Sequence, residues 1–138
     1  MTNQVQDALK FLIVEDDAVS RMVASGILKK LQLNHDCAAN GQEALDALHA
    51  NGRCYNAIFM DCDMPVMNGF EAVKFIRQAE ADGALTAIPV FAVTSHSGDD
   101  FEKKILASGF NRLITKPLTV QAVVAALASI GLALDQTF

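Results

Sequence analysis

Four short apolar runs in this chain each end at a charged or hydroxyl-bearing residue, and this repeated arrangement restricts the fold more than any other feature. The residues that end the runs are Glu15 with Asp16 and Asp17, then Asp61, Thr94 and Lys116. Short continuous apolar runs fit strands that are buried on both faces of a parallel sheet. Because all strands of such a sheet end at the same edge, where ligands bind, the pattern predicts that these distant residues meet in one pocket.

Amphipathic segments with helical spacing alternate with the apolar runs. The predicted strands cover residues 10–15, 34–39, 55–60, 88–93 and 112–115. The predicted helical stripes are Val19, Met22, Val23, Ile27 and Leu31; Ala44, Leu45 and Leu48; Ala72, Phe75, Ile76 and Ala79; Phe101 and Ile105; and Val120, Val123, Val124, Leu127 and Ile130. This succession predicts a doubly wound α/β fold, in which a five-stranded parallel sheet lies between helices connected by right-handed crossovers.

Capping and turn residues lie at the same boundaries. Asp17 and Thr119 are candidate N-caps, while Asn40-Gly41, Asp82-Gly83 and Gly109 are typical of helix boundaries. The length of 138 residues is that of a single domain. We therefore expect one domain over residues 9–131, with a flexible tail over 1–8 and a second tail over 132–138.

The composition argues against several classes of function. The net charge of −5 disfavours a nucleic-acid partner, which requires clustered Lys and Arg. The longest nearly apolar stretch, residues 122–134, is shorter than the roughly 20 residues that cross a bilayer, so no membrane association is expected. The first residues lack the pattern of a secretory signal, and a cytoplasmic protein is expected.

The cysteines do not have the spacing of a zinc site. Cys37, Cys54 and Cys62 are expected to be reduced and mostly buried. Cys62 follows Asp61, and an acidic environment keeps a thiol protonated, so a reactive thiolate is not expected there.

The acidic residues at the predicted sheet edge have the chemistry of a divalent-cation site. Glu15, Asp16 and Asp61 offer the oxygen ligands that Mg²⁺ prefers, and a cation would remove their mutual repulsion. Lys116 precedes Pro117, and an X-Pro bond can be cis at modest cost, which we expect to aim the ammonium inward.

The segment from Met60 to Glu71, which reads MDCDMPVMNGFE, is the most specific in the chain. Together with residues 11–17, Val93-Thr94 and Lys116-Pro117 in the same order, it resembles the receiver domain of two-component response regulators over residues 9–131. The resemblance implies a flavodoxin-like (β/α)5 fold. It also implies a phosphoacceptor switch with only self-catalysed phosphorylation and dephosphorylation, rather than an enzyme.

The resemblance assigns a role to each motif residue. Asp61 is the expected phosphoacceptor and, with Asp16, a direct Mg²⁺ ligand, while Glu15 acts through water and the backbone carbonyl of Asp63 completes the metal shell. Thr94 is the expected switch hydroxyl, with Ser95 beside it as an alternative, and Lys116 pairs with the phosphate. The implied partners are a histidine kinase or a histidine phosphotransfer protein, and a possible downstream protein target.

Some positions depart from the family pattern or leave two interpretations open. Leu113 stands where the family often has an aromatic switch residue. Asp63 and His96 occupy positions that tune loss of phosphate in the family, or they belong to an exposed polar loop. Val19 and Met22, with Pro117 and Leu118 across the pocket, form an apolar docking patch for a partner, or the two helix residues face the sheet.

Other functions fit the motifs less well. Asp61-Cys62-Asp63 resembles the Asp-x-Asp of aspartate-nucleophile phosphatases of the haloacid-dehalogenase kind, but there the nucleophile strand comes first and the metal acids last. Many turnovers of an aryl phosphate with Mg²⁺ would favour that alternative. A purely structural pseudo-receiver is disfavoured because every motif residue is present. A flavodoxin-type nucleotide site is disfavoured because Glu15, Asp16 and Asp17 would repel its phosphate.

Overall fold

The chain forms a parallel sheet with helices on both faces in a computed structural model, which describes residues 8–51, 54–62, 64 and 68–134. The strands are β1 (Lys10–Val14), β2 (Asn34–Ala38), β3 (Ala57–Asp61), β4 (Val90–Thr94) and β5 (Arg112–Thr115). The helices are α1 (Ala18–Lys30), α2 (Gly41–Asn51), α3 (Gly69–Ala81), α4 (Asp99–Ala107) and α5 (Val120–Ala128). All strand pairs are parallel, in the order β2-β1-β3-β4-β5, so the predicted fold class is confirmed.

Side-chain caps begin three of the helices, and the Asp17 and Thr119 caps lie at the predicted places. Asp17 accepts a hydrogen bond from the Ser20 amide at the start of α1, and Thr119 accepts one from Ala122 at the start of α5. Asn68 caps α3 in the same way. These bonds satisfy amide groups that have no partner within the helix. Gly98 precedes α4 with a φ of 119°. Because glycine has no side chain, α4 has no side-chain cap at this position.

Two hydrophobic layers enclose the sheet. The layer against α1 and α5 contains, among others, Phe11, Ile13, Phe59, Phe91, Val93, Ala24, Leu28, Val123 and Leu127. The layer against α2, α3 and α4 contains, among others, Leu12, Ile58, Met60, Val90, Ala44, Leu48, Ala72, Ile76 and Ile105. Successive strand residues belong to opposite layers, as the alternation of side chains along a strand requires. Strands β3 and β4 are buried along their whole length, which explains their continuous apolar sequence.

Two predicted helical stripes are partly wrong. The buried residues of α1 are Ala24 and Leu28, whereas Val19, Met22 and Val23 are exposed. At 3.6 residues per turn, these three are rotated by roughly 100° or more from Ala24, so they cannot share its face. In α3, Phe75 is exposed and Val73 is buried instead. In both helices, therefore, some large apolar side chains lie on the solvent-exposed face rather than against the sheet.

All three cysteines are free thiols, as predicted, but the predicted burial is wrong for two of them. Cys37 and Cys54 are exposed, and Cys62 is buried. Cys37 lies on β2, an edge strand in which only Ala38 is fully buried.

Over the described residues, no helix is long and apolar enough to span a bilayer.

Candidate functional site

The carboxyl edge of the sheet brings together the residues that end the apolar runs. Asp61 and Thr94 are the last residues of β3 and β4, each one residue beyond the predicted strand end. Glu15 follows β1, and its amide donates to the Ala38 carbonyl at 3.0 Å. The Lys116 amide donates to the Thr94 carbonyl at 2.8 Å, which continues the β4–β5 pairing by one residue. The strand registers therefore hold these residues side by side.

The Lys116 ammonium lies between two buried carboxylates. Its Nζ is 3.2 Å from Glu15 Oε1 and 3.3 Å from Asp61 Oδ1. The peptide bond between Lys116 and Pro117 is cis. An ammonium in this position neutralises part of the negative charge and presents its remaining donor capacity to the edge of the sheet.

Burial and crowding shift the protonation equilibria of this cluster. Glu15 and Asp61 are only 6% and 3% exposed. Burial and the neighbouring Asp61 carboxyl raise the pKa of Glu15 from 4.5 to about 7, and Lys116 opposes the rise. Burial by itself would lower the pKa of Lys116, but the Asp61 and Glu15 carboxylates raise it above its ordinary value. The lysine therefore stays charged.

Three carboxylates at this edge have the composition and proximity of a cation site. Glu15, Asp16 and Asp61 each offer one oxygen, and these oxygens lie within 4.8 Å of one another. Such a group of oxygen donors, open to solvent on the Asp16 side, fits Mg²⁺, which retains several waters. The pKa of Glu15 is raised first by burial and then by the Asp61 carboxyl, so a cation bound between the two carboxyls would favour the ionised form of Glu15. Asp63, whose carbonyl is the remaining expected ligand, lies outside the described residues.

Thr94 is the buried hydroxyl of the site. Its side chain is fully buried, and Oγ1 accepts a hydrogen bond of 3.2 Å from the His96 amide. Ser95 and His96 are exposed, so burial distinguishes Thr94 from the neighbouring hydroxyl of Ser95. Leu113 is half-buried and packs against the core layer under α3 and α4.

Arg21 is a component of the site that the sequence interpretation missed. From α1, its Nη1 donates to the carbonyl oxygens of Glu15 at 2.9 Å and Asp16 at 3.4 Å. The guanidinium thus holds the backbone of the two acids in place. Its position in the second turn of the helix that follows the acids is a weak signal, since basic residues are common on exposed helix surfaces.

An apolar cavity adjoins the charged cluster. It has a volume of about 370 Å³ and lies between α1 and the segment after β5. Its lining includes Val19, Val23, Ala24, Phe59, Pro117 and Leu118 at the apolar part, and Glu15, Asp61 and Lys116 at the charged end. Val19 and Met22 are 67% and 73% exposed, so the structure favours the interpretation in which they do not face the sheet.

The response regulator receiver domain family matches residues 11–128. This match covers most of the chain, so the chain belongs to the response regulator receiver domain family.

Relatives of known class include both hybrid kinases and response regulators. Hybrid signal transduction histidine kinase A of Dictyostelium discoideum is 36% identical over 122 residues, which are 88% of this chain but 6% of that protein. Two-component response regulator 24 of Arabidopsis thaliana is 30% identical over 127 residues, which are 92% of this chain and 87% of that protein.

Solved structures share the fold over most of the chain. The receiver domain of the histidine kinase CKI1 from Arabidopsis thaliana, complexed with Mg²⁺ and BeF₃⁻, has a TM-score of 0.78 at 29% identity and 89% coverage of both chains. The receiver domain of the Saccharomyces cerevisiae response regulator Ssk1, crystallised with the histidine phosphotransfer protein Ypd1, has a TM-score of 0.76 at 31% identity and 83% coverage of both chains.

Proposed function

We propose that this receiver domain accepts a phosphoryl group on Asp61 from a phosphohistidine of a histidine kinase or a histidine phosphotransfer protein. The observation that carries the proposal is the Lys116 ammonium, held 3.3 Å from Asp61 and 3.2 Å from Glu15 at the carboxyl edge of the sheet. The Ssk1 receiver, which resembles this chain and was crystallised with a phosphotransfer protein, supports this class of partner.

The transfer step assigns a role to each residue. An Asp61 carboxylate oxygen attacks the phosphorus, a P–O bond forms and the P–N bond to the donor imidazole breaks, with the electron pair going to that nitrogen. Lys116 balances charge on the phosphoryl oxygens, and Thr94 donates its hydroxyl to one of them. Such a transfer is accelerated mainly by alignment and charge stabilisation.

Glu15, Asp16 and Asp61 would hold Mg²⁺ in this pocket, with the Asp63 carbonyl as the further expected ligand. When bound, the ion supplies charge neutralisation and alignment of the phosphoryl oxygens. The CKI1 receiver, which was solved with Mg²⁺ and BeF₃⁻, supports this choice of cation. Arg21 keeps the Glu15–Asp16 backbone fixed, so that the carboxylates need little reordering.

The output of the domain is a change in partner binding rather than turnover of a substrate. Phosphorylation adds a charge of about −1.5 to −2, which draws Thr94 and Lys116 toward Asp61. We propose that movement of these two residues changes the surface beyond them, in the manner of an order-and-position switch. The response regulator relative, of which 87% is matched, supports a role as a response regulator.

The exposed apolar residues of α1 are the proposed docking surface for the phosphodonor. Val19 and Val23 line the cavity that ends at Asp61 and Lys116, and Met22 is exposed on the same helix. Exposed apolar clusters of this kind mark protein contacts more often than isolated exposed residues do. A partner seated on α1 would bring its phosphohistidine to the charged end of the cavity.

The proposal is tested with the variant Asp61→Asn, labelled by a small phosphodonor or by a phosphotransfer protein in the presence of Mg²⁺. We expect labelling to be abolished because the amide is not a competent nucleophile, while circular dichroism shows the same fold. Asp46→Asn, an exposed change on α2, is the matched control and should be labelled normally. Persistent labelling of Asp61→Asn would refute the assignment of Asp61.

A further inference from the structure

The position that often carries an aromatic switch residue in the family holds Leu113 in this chain. Leu113 is paired with Ala92 across β4 and β5 and packs, half-buried, against the same core layer as Phe70 and Phe101. A leucine there has no hydroxyl and no ring. Any coupling from Thr94 to the neighbouring helix must therefore use other contacts.

A chain of ring contacts connects the residue after Ser95 with two helix starts. The His96 ring lies 5.6 Å from the Phe101 ring, measured between centroids, and Phe101 lies in the first turn of α4. Phe101 contacts Phe70 edge to face at 6.4 Å, and Phe70 lies at the start of α3. Tilted and edge-to-face pairs at these separations are favourable beyond their buried area. We call His96, Phe101 and Phe70 the ring chain.

A hydrogen bond connects the first residue of the ring chain, His96, with the Thr94 hydroxyl. Thr94 Oγ1 accepts the His96 amide, so a rotation of the Thr94 side chain toward Asp61 changes the bond that fixes the His96 backbone. Residue 98 is a glycine with φ 119°, and α4 has no side-chain cap there. The first turn of α4 is therefore fixed largely by its packing, of which the contacts of Phe101 are part.

The other end of the ring chain lies beside the end of β3, which carries Asp61. The Gly69 amide, next to Phe70, donates to the Cys62 carbonyl at 3.0 Å. A Cβ at Gly69 would lie 2.7 Å from the Asp61 carbonyl oxygen, so the start of α3 is packed directly against the acceptor strand. Phe70 also contacts Phe110 edge to face, and Lys104 of α4 lies 4.8 Å above the Phe70 ring. Phe70 is thus a fixed surface against which α4 can shift.

We propose that the ring chain transmits the movement of Thr94 to α4, in the place of an aromatic residue at position 113. This inference rests on the proposed function, because it requires occupation of the phosphoryl site. In this structure the Thr94 hydroxyl accepts from the His96 amide. Bonding of the same hydroxyl to a phosphoryl oxygen on Asp61 would be the second state, and the two together are the two-state element that a claim of coupling needs.

The test is NMR of ¹⁵N-labelled protein titrated with beryllofluoride and Mg²⁺ as a phosphoryl mimic. In the wild type we expect amide shifts at the site, at Glu15 and Lys116, and also in α4, at Lys104 and Leu106. In Phe101→Leu, the site shifts should persist, with the beryllofluoride affinity within about threefold of wild type, while the α4 shifts fall to about half or less. His96→Ala, at an exposed position, should weaken the α4 shifts to a similar extent.

Two further variants separate the ring chain from a general effect on packing. His96→Phe keeps a ring in contact with Phe101 and should retain the α4 shifts. Leu113→Met, which conserves volume at the position where the family often has an aromatic residue, should also leave them unchanged. Full α4 shifts in both His96→Ala and Phe101→Leu would overturn the inference. Absence of shifts at Glu15 and Lys116 in the wild type would instead contradict the proposed function.

Discussion

At the scale of single residues, the chemistry of the site depends on how close Glu15 and Asp61 are forced to lie. Two buried carboxyls face one ammonium, so the pocket carries excess negative charge near neutral pH. Without a cation, the protein relieves this excess by keeping a proton on Glu15. Burial, and after it the neighbouring Asp61 carboxyl, raises the pKa of Glu15, and the closeness of the two carboxyls also makes the pocket attractive to a divalent cation.

Removal of Mg²⁺ should make stability fall as the pH rises from about 4.5 to about 7. In this window the folded protein keeps the Glu15 proton that the unfolded chain releases, so each added pH unit costs up to about 1.4 kcal/mol of folding free energy. Urea denaturation in EDTA, compared between pH 5.5 and 7.5, measures the effect. Glu15→Gln removes the titration and should be less sensitive to pH by the same amount; an equal slope in both proteins would contradict the assignment.

The residues of the site could be predicted, but their protonation and their supports could not. Strand ends indicated Glu15, Asp61, Thr94 and Lys116 because parallel strands share an edge. The rise in the pKa of Glu15 depends on distances between residues far apart in sequence. The hydrogen bonds from Arg21 to two carbonyl oxygens depend on a side-chain conformation, which a spacing pattern does not specify.

At the scale of elements, α1 shows why the apolar pattern predicted the helix and not its buried face. Ala24 and Leu28 contact the sheet, while the larger side chains of Val19 and Met22 are exposed. An apolar stripe normally indicates the core, because burial in the core is its usual cause. A helix with a second, exposed apolar surface breaks that rule, and its two faces merge into one wide stripe in the sequence.

The exposed face of α1 yields a prediction about phosphotransfer. Met22→Ala should change the free energy of unfolding by less than about 0.5 kcal/mol, because the side chain is 73% exposed. It should slow phosphotransfer from a histidine phosphotransfer protein about fivefold or more, as loss of an interface anchor does. Phe75→Ala, an exposed apolar change on α3 at the other face of the sheet, is the control. Equal rates for both variants and the wild type would exclude α1 as the docking helix.

Arg77 of α3 fastens the end of the sheet opposite the site. Its guanidinium donates to the carbonyl oxygens of Gly109 and Ile88, to Asn111 Oδ1 and to both carboxylate oxygens of Glu80. These bonds connect the helix to the segments that enter β4 and β5. They fix the position of α3 relative to β4 and β5, the second of which leads to Lys116.

Arg77→Ala should lower the free energy of unfolding by about 2–3 kcal/mol, because several partly buried acceptors lose a charged donor together. Lys74→Ala, an exposed change on the same helix, should cost less than about 0.5 kcal/mol. Equilibrium denaturation in urea measures both. Similar losses in the two variants would show that the hydrogen bonds of Arg77 contribute little beyond those of an ordinary surface residue.

At the scale of the whole molecule, the alternation of apolar runs and helical stripes was enough to predict the fold. It was not enough to predict the contacts of the ring chain. Apolar runs, helical stripes and caps recur in the same order along the chain, which leaves few topologies other than a doubly wound sheet. The ring chain joins His96, Phe101 and Phe70, which belong to different elements. Their contacts depend on how α3 and α4 pack together, and a sequence pattern specifies neither that distance nor the angles between rings.

Cation binding at the site should stabilise the entire domain, because the three carboxylates are assembled only in the folded chain. At 100 times the dissociation constant, Mg²⁺ should raise the free energy of unfolding by about 2.7 kcal/mol. The increment should be larger at pH 7.5 than at pH 5.5, since at low pH the cation must displace the Glu15 proton. Asp16→Asn should need more Mg²⁺ for the same increment, whereas Asp17→Asn, which retains a helix cap, should not. Thermal denaturation with Mg²⁺ and with EDTA measures the difference, and equal increments in the two variants would place the cation elsewhere.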